Sequence, residues 1–185
     1  LWLIALTLLG LALRLYRLGD VPAGMHPDEA HYASDAVAIM GGWRPVFLPA
    51  NNGREPLFVY LMAWLFNWLG PTVWTARFAG AVVGTLMVPV QYLFVRRLPL
   101  PRPTQTALIS AFLIAVTFWP VSQSHQALRA GLLPAEAALV FWAWWETLRE
   151  TPTGTARWRA PTYAALTGIL LAMALWTHLS ARLLP

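Results

Sequence analysis

Four apolar runs, at residues 72–95, 104–122, 130–148 and 161–181, each approach the roughly 20 residues that a helix needs to cross a bilayer. Inside the hydrocarbon layer there is no water for the backbone to bond, so each run has to satisfy its own amides and carbonyls as a helix. Residues 1–13 read as the outer part of another span, which brings the expected number to five. The run at 57–69 reaches only about 20 Å as a helix against a core of roughly 30 Å, and reads as interfacial or re-entrant. The expectation is an all-α fold: a polytopic bundle of about five spanning helices, with membrane-parallel helices in the first outer loop.

Composition excludes the soluble alternative. Hydrophobic residues make up 58% of the chain and charged residues 11%, whereas a soluble surface needs about a quarter charged. The chain opens on Leu-Trp-Leu-Ile without Met and stops just after a predicted helix, so residues 1–185 read as an internal fragment of a longer chain. Arg14 and Arg17 follow the opening run where a cleaved signal peptide would carry small residues. The basic excess is carried wholly by Arg at the ends of the runs, a placement that speaks against nucleic acid as a partner. With no Cys, a disulfide framework and a thiolate metal site are both excluded.

Charge placement sets the expected topology. Arg96, Arg97 and Arg102 share one connection, and Arg149, Arg157 and Arg159 share another two spans later, so both belong on the cytoplasmic side. Residues 25–55 then fall outside, together with Arg14, Arg17, Arg44 and Arg54. That set runs against the positive-inside rule, but long loops count little in it.

The polar loop over residues 14–56 carries the least expected chemistry. In His26-Pro27-Asp28-Glu29-Ala30-His31-Tyr32, two adjacent acids sit beside a membrane in a chain poor in charge. A membrane-edge Asp can deprotonate an acceptor, and a neighbouring Glu can tune it. Pro followed by acids also marks an ordinary helix start, and a short helix over 28–40 is predicted, ended by Gly41-Gly42. On it, Asp28, His31, Tyr32 and Asp35 share one face, which is either a site or a wetted surface. His26, Asp28 and His31 are imaginable metal ligands, although their spacing matches no strong metal signature.

Further polar groups gather at the same expected level. Arg54-Glu55-Pro56 stands where the loop re-enters the apolar phase. His125 and Arg129 close one span, and His178 and Arg182 close the last. An arginine there can clamp a phosphate through paired N–H donors, or simply snorkel to water. Trp142, Trp144 and Trp145 read as interface and packing residues, and Glu136 is the most deeply placed ionisable group. The sequence shows no internal repeat, P-loop, dinucleotide fingerprint or His-Glu-x-x-His motif.

The order of these motifs resembles a known family. Asp28-Glu29-Ala-His-Tyr, Arg54-Glu55-Pro56-Leu57, Ala76-Arg77-Phe78 leading into a span that ends in Arg96-Arg97, Arg129 with Pro134, and Gly168 through Trp176-Thr177-His178 are similar to the amino-terminal half of the protein O-mannosyltransferase and aminoarabinose-transferase superfamily. These are integral-membrane glycosyltransferases of the so-called GT-C fold. The resemblance implies a polyprenyl-phosphate-linked sugar donor, an inverting transfer to a protein or glycolipid acceptor, and a site on the outer face of a multi-pass protein, here expected in a bacterial plasma membrane. It implies that Asp28 is the catalytic or acceptor-orienting acid and Glu29 its partner, and that Arg54 and Glu55 flank the site. Some relatives carry Lys-Pro-Pro at the Arg54 segment. His178 stands where aminoarabinose transferases have a phosphate-contacting Lys. The 57–69 helix matches the family's membrane-parallel helix.

The chemistry agrees with this resemblance. A departing lipid phosphate needs cations, and Arg129, His178 and Arg182, with His125 near them, belong to the expected outer face. No cofactor is required, and a divalent metal, which some family members hold, is not supported by the sequence. Two other classes remain as alternatives: a transporter with an outer polar site, which should show repeated halves or broken mid-membrane helices, and a non-catalytic assembly subunit, which should have lost the acidic pair.

Overall fold

The computed structural model describes residues 1–50, 53–149 and 158–184, and among them the regular structure is helical. In chain order the helices are α1 (Trp2–Leu15), α2 (Pro27–Met40), α3 (Leu57–Leu69), α4 (Val73–Arg97), α5 (Pro103–Val116), α6 (Phe118–Ser124), α7 (Leu133–Arg149) and α8 (Arg159–Leu175). Two 3-10 turns, Arg129–Gly131 and Leu179–Leu183, precede α7 and follow α8. Arg157, assigned above to the cytoplasmic side, lies outside the described residues.

Where α4, α5 and α7 meet their neighbours, many of the buried side chains are small. Small residues fill the contacts between helices: Ala76, Ala79 and Ala81 on α4, Ala107, Ala111 and Ala115 on α5, and Ala138 and Ala143 on α7 are buried. Large apolar side chains face outward, among them Ile4 and Leu8 on α1, Ile109 and Phe112 on α5, and Ile169 on α8. In water this arrangement wastes the hydrophobic effect. In lipid it is favourable, because close backbone approach is what drives helices together there.

α4 is the hub, in contact with α1, α3, α5, α6 and α7. Its start is capped by Thr72, whose hydroxyl accepts from the Thr75 amide at 3.1 Å. With 25 residues it is about 37 Å long, and it is the one helix among those described that is long and apolar enough by itself to cross a membrane. Gly80 and Gly84 let the chain after α6 lie directly against it. A Cβ on Gly84 would stand 1.9 Å from Ser124 Oγ, and one on Gly80 would stand 2.5 Å from the Gln126 carbonyl oxygen.

The expected spans differ from the observed helices in detail. The 104–122 run is two helices, α5 and α6, bent by 53°. Pro120 has no N–H for the Val116 carbonyl, and its ring excludes a regular turn four residues back. The 130–148 run becomes helical only at Leu133, and the 161–181 run stops at Leu175 before a turn. α1, α3 and α8 are apolar but have fewer than 18 residues each.

The break between α5 and α6 explains a buried charge on α1. Arg14 is fully enclosed and donates to the carbonyls of Ile114 (2.9 Å), Ala115 (3.1 Å) and Gly10 (3.0 Å), and to Ser124 Oγ (3.1 Å). It therefore takes up carbonyls near the end of α5 where the regular ladder stops. The first loop, read as polar from sequence, has its own core. Tyr32, Ala36 and Ile39 of α2 and Phe58, Val59, Met62 and Phe66 of α3 pack with Leu48, Ala79 and Ala127. α2 starts one residue before the predicted Asp28 and is followed by Gly41, as expected.

Candidate functional site

The adjacent acids of the loop have opposite fates. Glu29 is fully buried, and both of its oxygens are engaged. Oε2 accepts from the His26 amide at 2.8 Å, completing a capping box at the start of α2. Oε1 accepts from the Ala127 amide at 2.8 Å and lies 3.4 Å from Arg77 Nε. Arg77, equally enclosed, also donates to the carbonyls of Leu18, Gly19 and Gly24. One carboxylate thus fastens α2 to α4 and to the segment before Arg129. Asp28 is half open to solvent, and the one partner at ion-pair distance among the described residues is the His26 ring, at 3.9 Å. The His26 ring in turn accepts from the Asp28 amide at 3.2 Å. The side chain is free on a backbone that is not.

Three of the residues named from sequence come together elsewhere on the loop. Glu55 and Arg129 form an ion pair, with side chains 12% and 15% exposed. His178, in the turn beyond α8, lies within electrostatic reach of both. Burial, then the Arg129 guanidinium, holds its pKa below the ordinary imidazole value, and Glu55 opposes them. The turn is set from below by Thr177, whose hydroxyl lies 2.7 Å from Oε1 of the buried Glu136. It is set from the side by Trp176, whose ring lies 5.9 Å from that of Tyr60, tilted by 33°, and which donates to the Val46 carbonyl at 3.0 Å. α3, α7, the turn beyond α8 and the loop residues Val46 and Glu55 therefore all contribute to this rim.

The other named residues go to separate places. Arg54 is buried, bonds Asp35 at 2.8 Å and lies over the Tyr32 ring at 5.1 Å, which makes it a brace of the loop. His125 is buried with its ring nitrogens 3.2 Å from the carbonyls of Val21 and Leu13. Arg182 is exposed and makes no ion pair among the described residues. His31 is exposed, and among the described residues no three His, Asp or Glu side chains gather as metal ligands would.

A cavity of about 390 Å³ lies beside α4, lined by Arg14, Gly84, Trp119, Gln123, Gln126 and Pro134 among others. Asp28, Glu29, Arg54, Glu55, His125, Arg129, His178 and Arg182 are not among its walls. Sequence reasoning left Arg14, Arg77 and Thr177 out of the site. A signal was present for Arg77, a lone Arg within a run of small and apolar residues.

No family model, curated protein or solved structure matches this chain. Its chemistry therefore has to be argued from the arrangement of its own residues and from the motif order. That arrangement offers a half-open carboxylate on a rigid mount, and a separate rim where a carboxylate and a guanidinium pair within electrostatic reach of an imidazole.

Proposed function

We propose that this chain is the amino-terminal part of a multi-pass membrane glycosyltransferase that moves a sugar from a polyprenyl-phosphate donor to an acceptor hydroxyl on the outer face of the membrane. In this reading α1, α4, the bent α5–α6 pair, α7 and α8 are the five crossings, and α2 and α3 lie along the membrane. Asp28 takes the acceptor proton, or orients the hydroxyl that loses it. Arg129, with His178 beside it, meets the phosphate that departs. Glu55 holds the guanidinium in place until then. Glu29 is a positioning residue, acting on Asp28 only through the helix start that both occupy.

The observation that carries the reading is the contrast between Asp28 and Glu29. A carboxylate beside lipid is costly unless it is paired or reaches water, and Glu29 meets that demand through Arg77 and two amides. Asp28 is left half open on the same turn. Its exposure serves no structural bond to another element, which is what a proton acceptor for an incoming ligand requires. The motif order that resembles GT-C enzymes supplies the reaction class.

The test is a transfer assay on the full-length protein with a panel of polyprenyl-phosphate sugars, run for the natural chain and for Asp28→Asn. Transfer from one donor, lost in the variant, supports the assignment. Transfer that survives Asp28→Asn removes Asp28 from the reaction, and a folded protein that transfers from no donor overturns the enzyme reading.

A further inference from the structure

At the end of α4 opposite the loop, arginines gather around a pocket that the proposed reaction does not use. Its volume is about 380 Å³, and its walls are Arg96, Arg97, Leu98, Pro99, Pro103, Trp145 and Arg149. The geometry points to a binding site for a phosphate group, and we propose that its occupant is the headgroup of an anionic phospholipid in the leaflet that α4 exits.

Charge is the first argument. Glu146, buried on α7, lies 3.3 Å from Arg97 Nε and 3.5 Å from Arg149 Nη1. Among the described residues, three guanidinium groups against this one carboxylate leave two positive charges in excess at the pocket walls. Glu146 also fixes the direction of its two arginines, so they need little reordering to meet an anion. Arg96 carries the excess most openly. It lies over the Tyr92 ring at 5.7 Å and has no carboxylate at ion-pair distance among the described residues.

Position is the second argument. The pocket opens where the 25-residue apolar helix ends, which is the depth of a lipid phosphate. Pro103 places the start of α5 in the wall, so the positive end of that helix faces the same space. Trp145 closes one side with its indole N–H bonded to the Arg97 carbonyl at 2.8 Å, leaving an apolar face for the lipid beneath the headgroup. General attraction to an anionic surface needs charge alone, whereas a pocket with an arginine pair held by a buried Glu can retain a single molecule.

The inference rests on the membrane placement of α4 and not on glycosyl transfer, so a failed transfer assay leaves it standing. The full-length protein is reconstituted with phosphatidylglycerol and phosphatidylcholine, released gently into detergent, and weighed intact to count retained lipid. Phosphatidylglycerol retained in preference to phosphatidylcholine, and lost in both Arg96→Gln and Arg149→Gln, is the expected result. Arg102→Gln removes the same charge from the same connection but outside the pocket walls, and should retain the lipid. Equal loss in Arg102→Gln would mean diffuse surface attraction and overturn the site, as would retention unchanged in all three variants. Displacement of the lipid by inorganic phosphate would keep the phosphate pocket and assign it to a soluble ligand, overturning the lipid source.

Discussion

The enclosed charges and the partly exposed ones at the loop end of the bundle are similar residue types under different constraints. Arg14, Glu29 and Arg77 are out of water altogether, and each bonds two or more separate segments of chain. Glu55, Arg129 and His178 sit at the rim, where each has a partner but also a route to solvent. Asp28 belongs to the second group although it adjoins a member of the first. The enclosed set is therefore a frame, in which losing one partner strands another. The rim set can exchange its partners for a ligand at little cost to the fold.

The largest expected effect falls on the frame. Arg77→Met removes one side of a buried pair and leaves the Glu29 charge and three carbonyls without that donor, a change of about 3–5 kcal/mol. Thermal unfolding of the purified full-length protein should show a large drop in Tm or no folded material. A variant as stable as the parent would mean that Glu29 finds water, and the frame would lose its distinction from the rim.

Next comes Asp28. Asp28→Asn should lower transfer by about a hundredfold or more, the scale of losing a general base, with Tm unchanged because Asp28 braces nothing beyond its own turn. Asp35→Asn should do the reverse. It removes the partner of buried Arg54 and should lower Tm while leaving turnover of the remaining folded protein near normal. A loss of activity in both, in proportion to stability, would erase the contrast.

At the rim, Arg129→Gln should also lower stability, since the pair with Glu55 is mostly buried, though less than Arg77→Met because both side chains keep some access to solvent. Transfer should fall roughly ten- to a hundredfold, the weight of a hydrogen bond to a charged group. KM for the donor should rise in that variant, whereas Glu55→Gln should leave the guanidinium available and affect KM less. Identical kinetics in the two variants would show that the ion pair matters as a unit and that Arg129 meets no phosphate.

Helix content and order were legible because apolar runs and proline or glycine punctuation are local signals. The helix over 28–40, the short helix over 57–69 and the start of α4 all fall within a residue or two of expectation. The bend at Thr117 was not read, although Pro120 was there to signal it, because an apolar run alone does not say where it is broken. Within the site, residue type showed which groups were unusual but not which were paired. Beyond the local capping bond of Glu29 to the His26 amide, what separates Asp28 from Glu29 is made by Arg77 and the Ala127 amide, 48 and 98 residues away. Arg54 and His125 were drawn into the site for the same reason, and their partners are carbonyls and an acid that only the fold brings near.

The smallest expected effect is the titration of His178, and its sign follows from its neighbours. Burial and then Arg129 hold its pKa below the ordinary imidazole value of about 6.5, while Glu55 pulls the other way. Its Nδ1 accepts from the Ser180 amide at 3.2 Å, so the neutral ring carries its proton on Nε2. In the folded chain the neutral form is favoured, so as pH falls below the ordinary value the unfolded chain takes a proton that the folded chain resists. Stability is therefore complete above that value and declines through the window down to the lower folded pKa. Followed by NMR of labelled histidine, the His178 titration should move up in Arg129→Gln, where a repelling cation is gone, and down in Glu55→Gln, where an attracting anion is gone. Opposite shifts would place His178 between the two charges at the rim. A titration that ignores both substitutions would separate the imidazole from the pair and leave Arg129 to meet an anion alone.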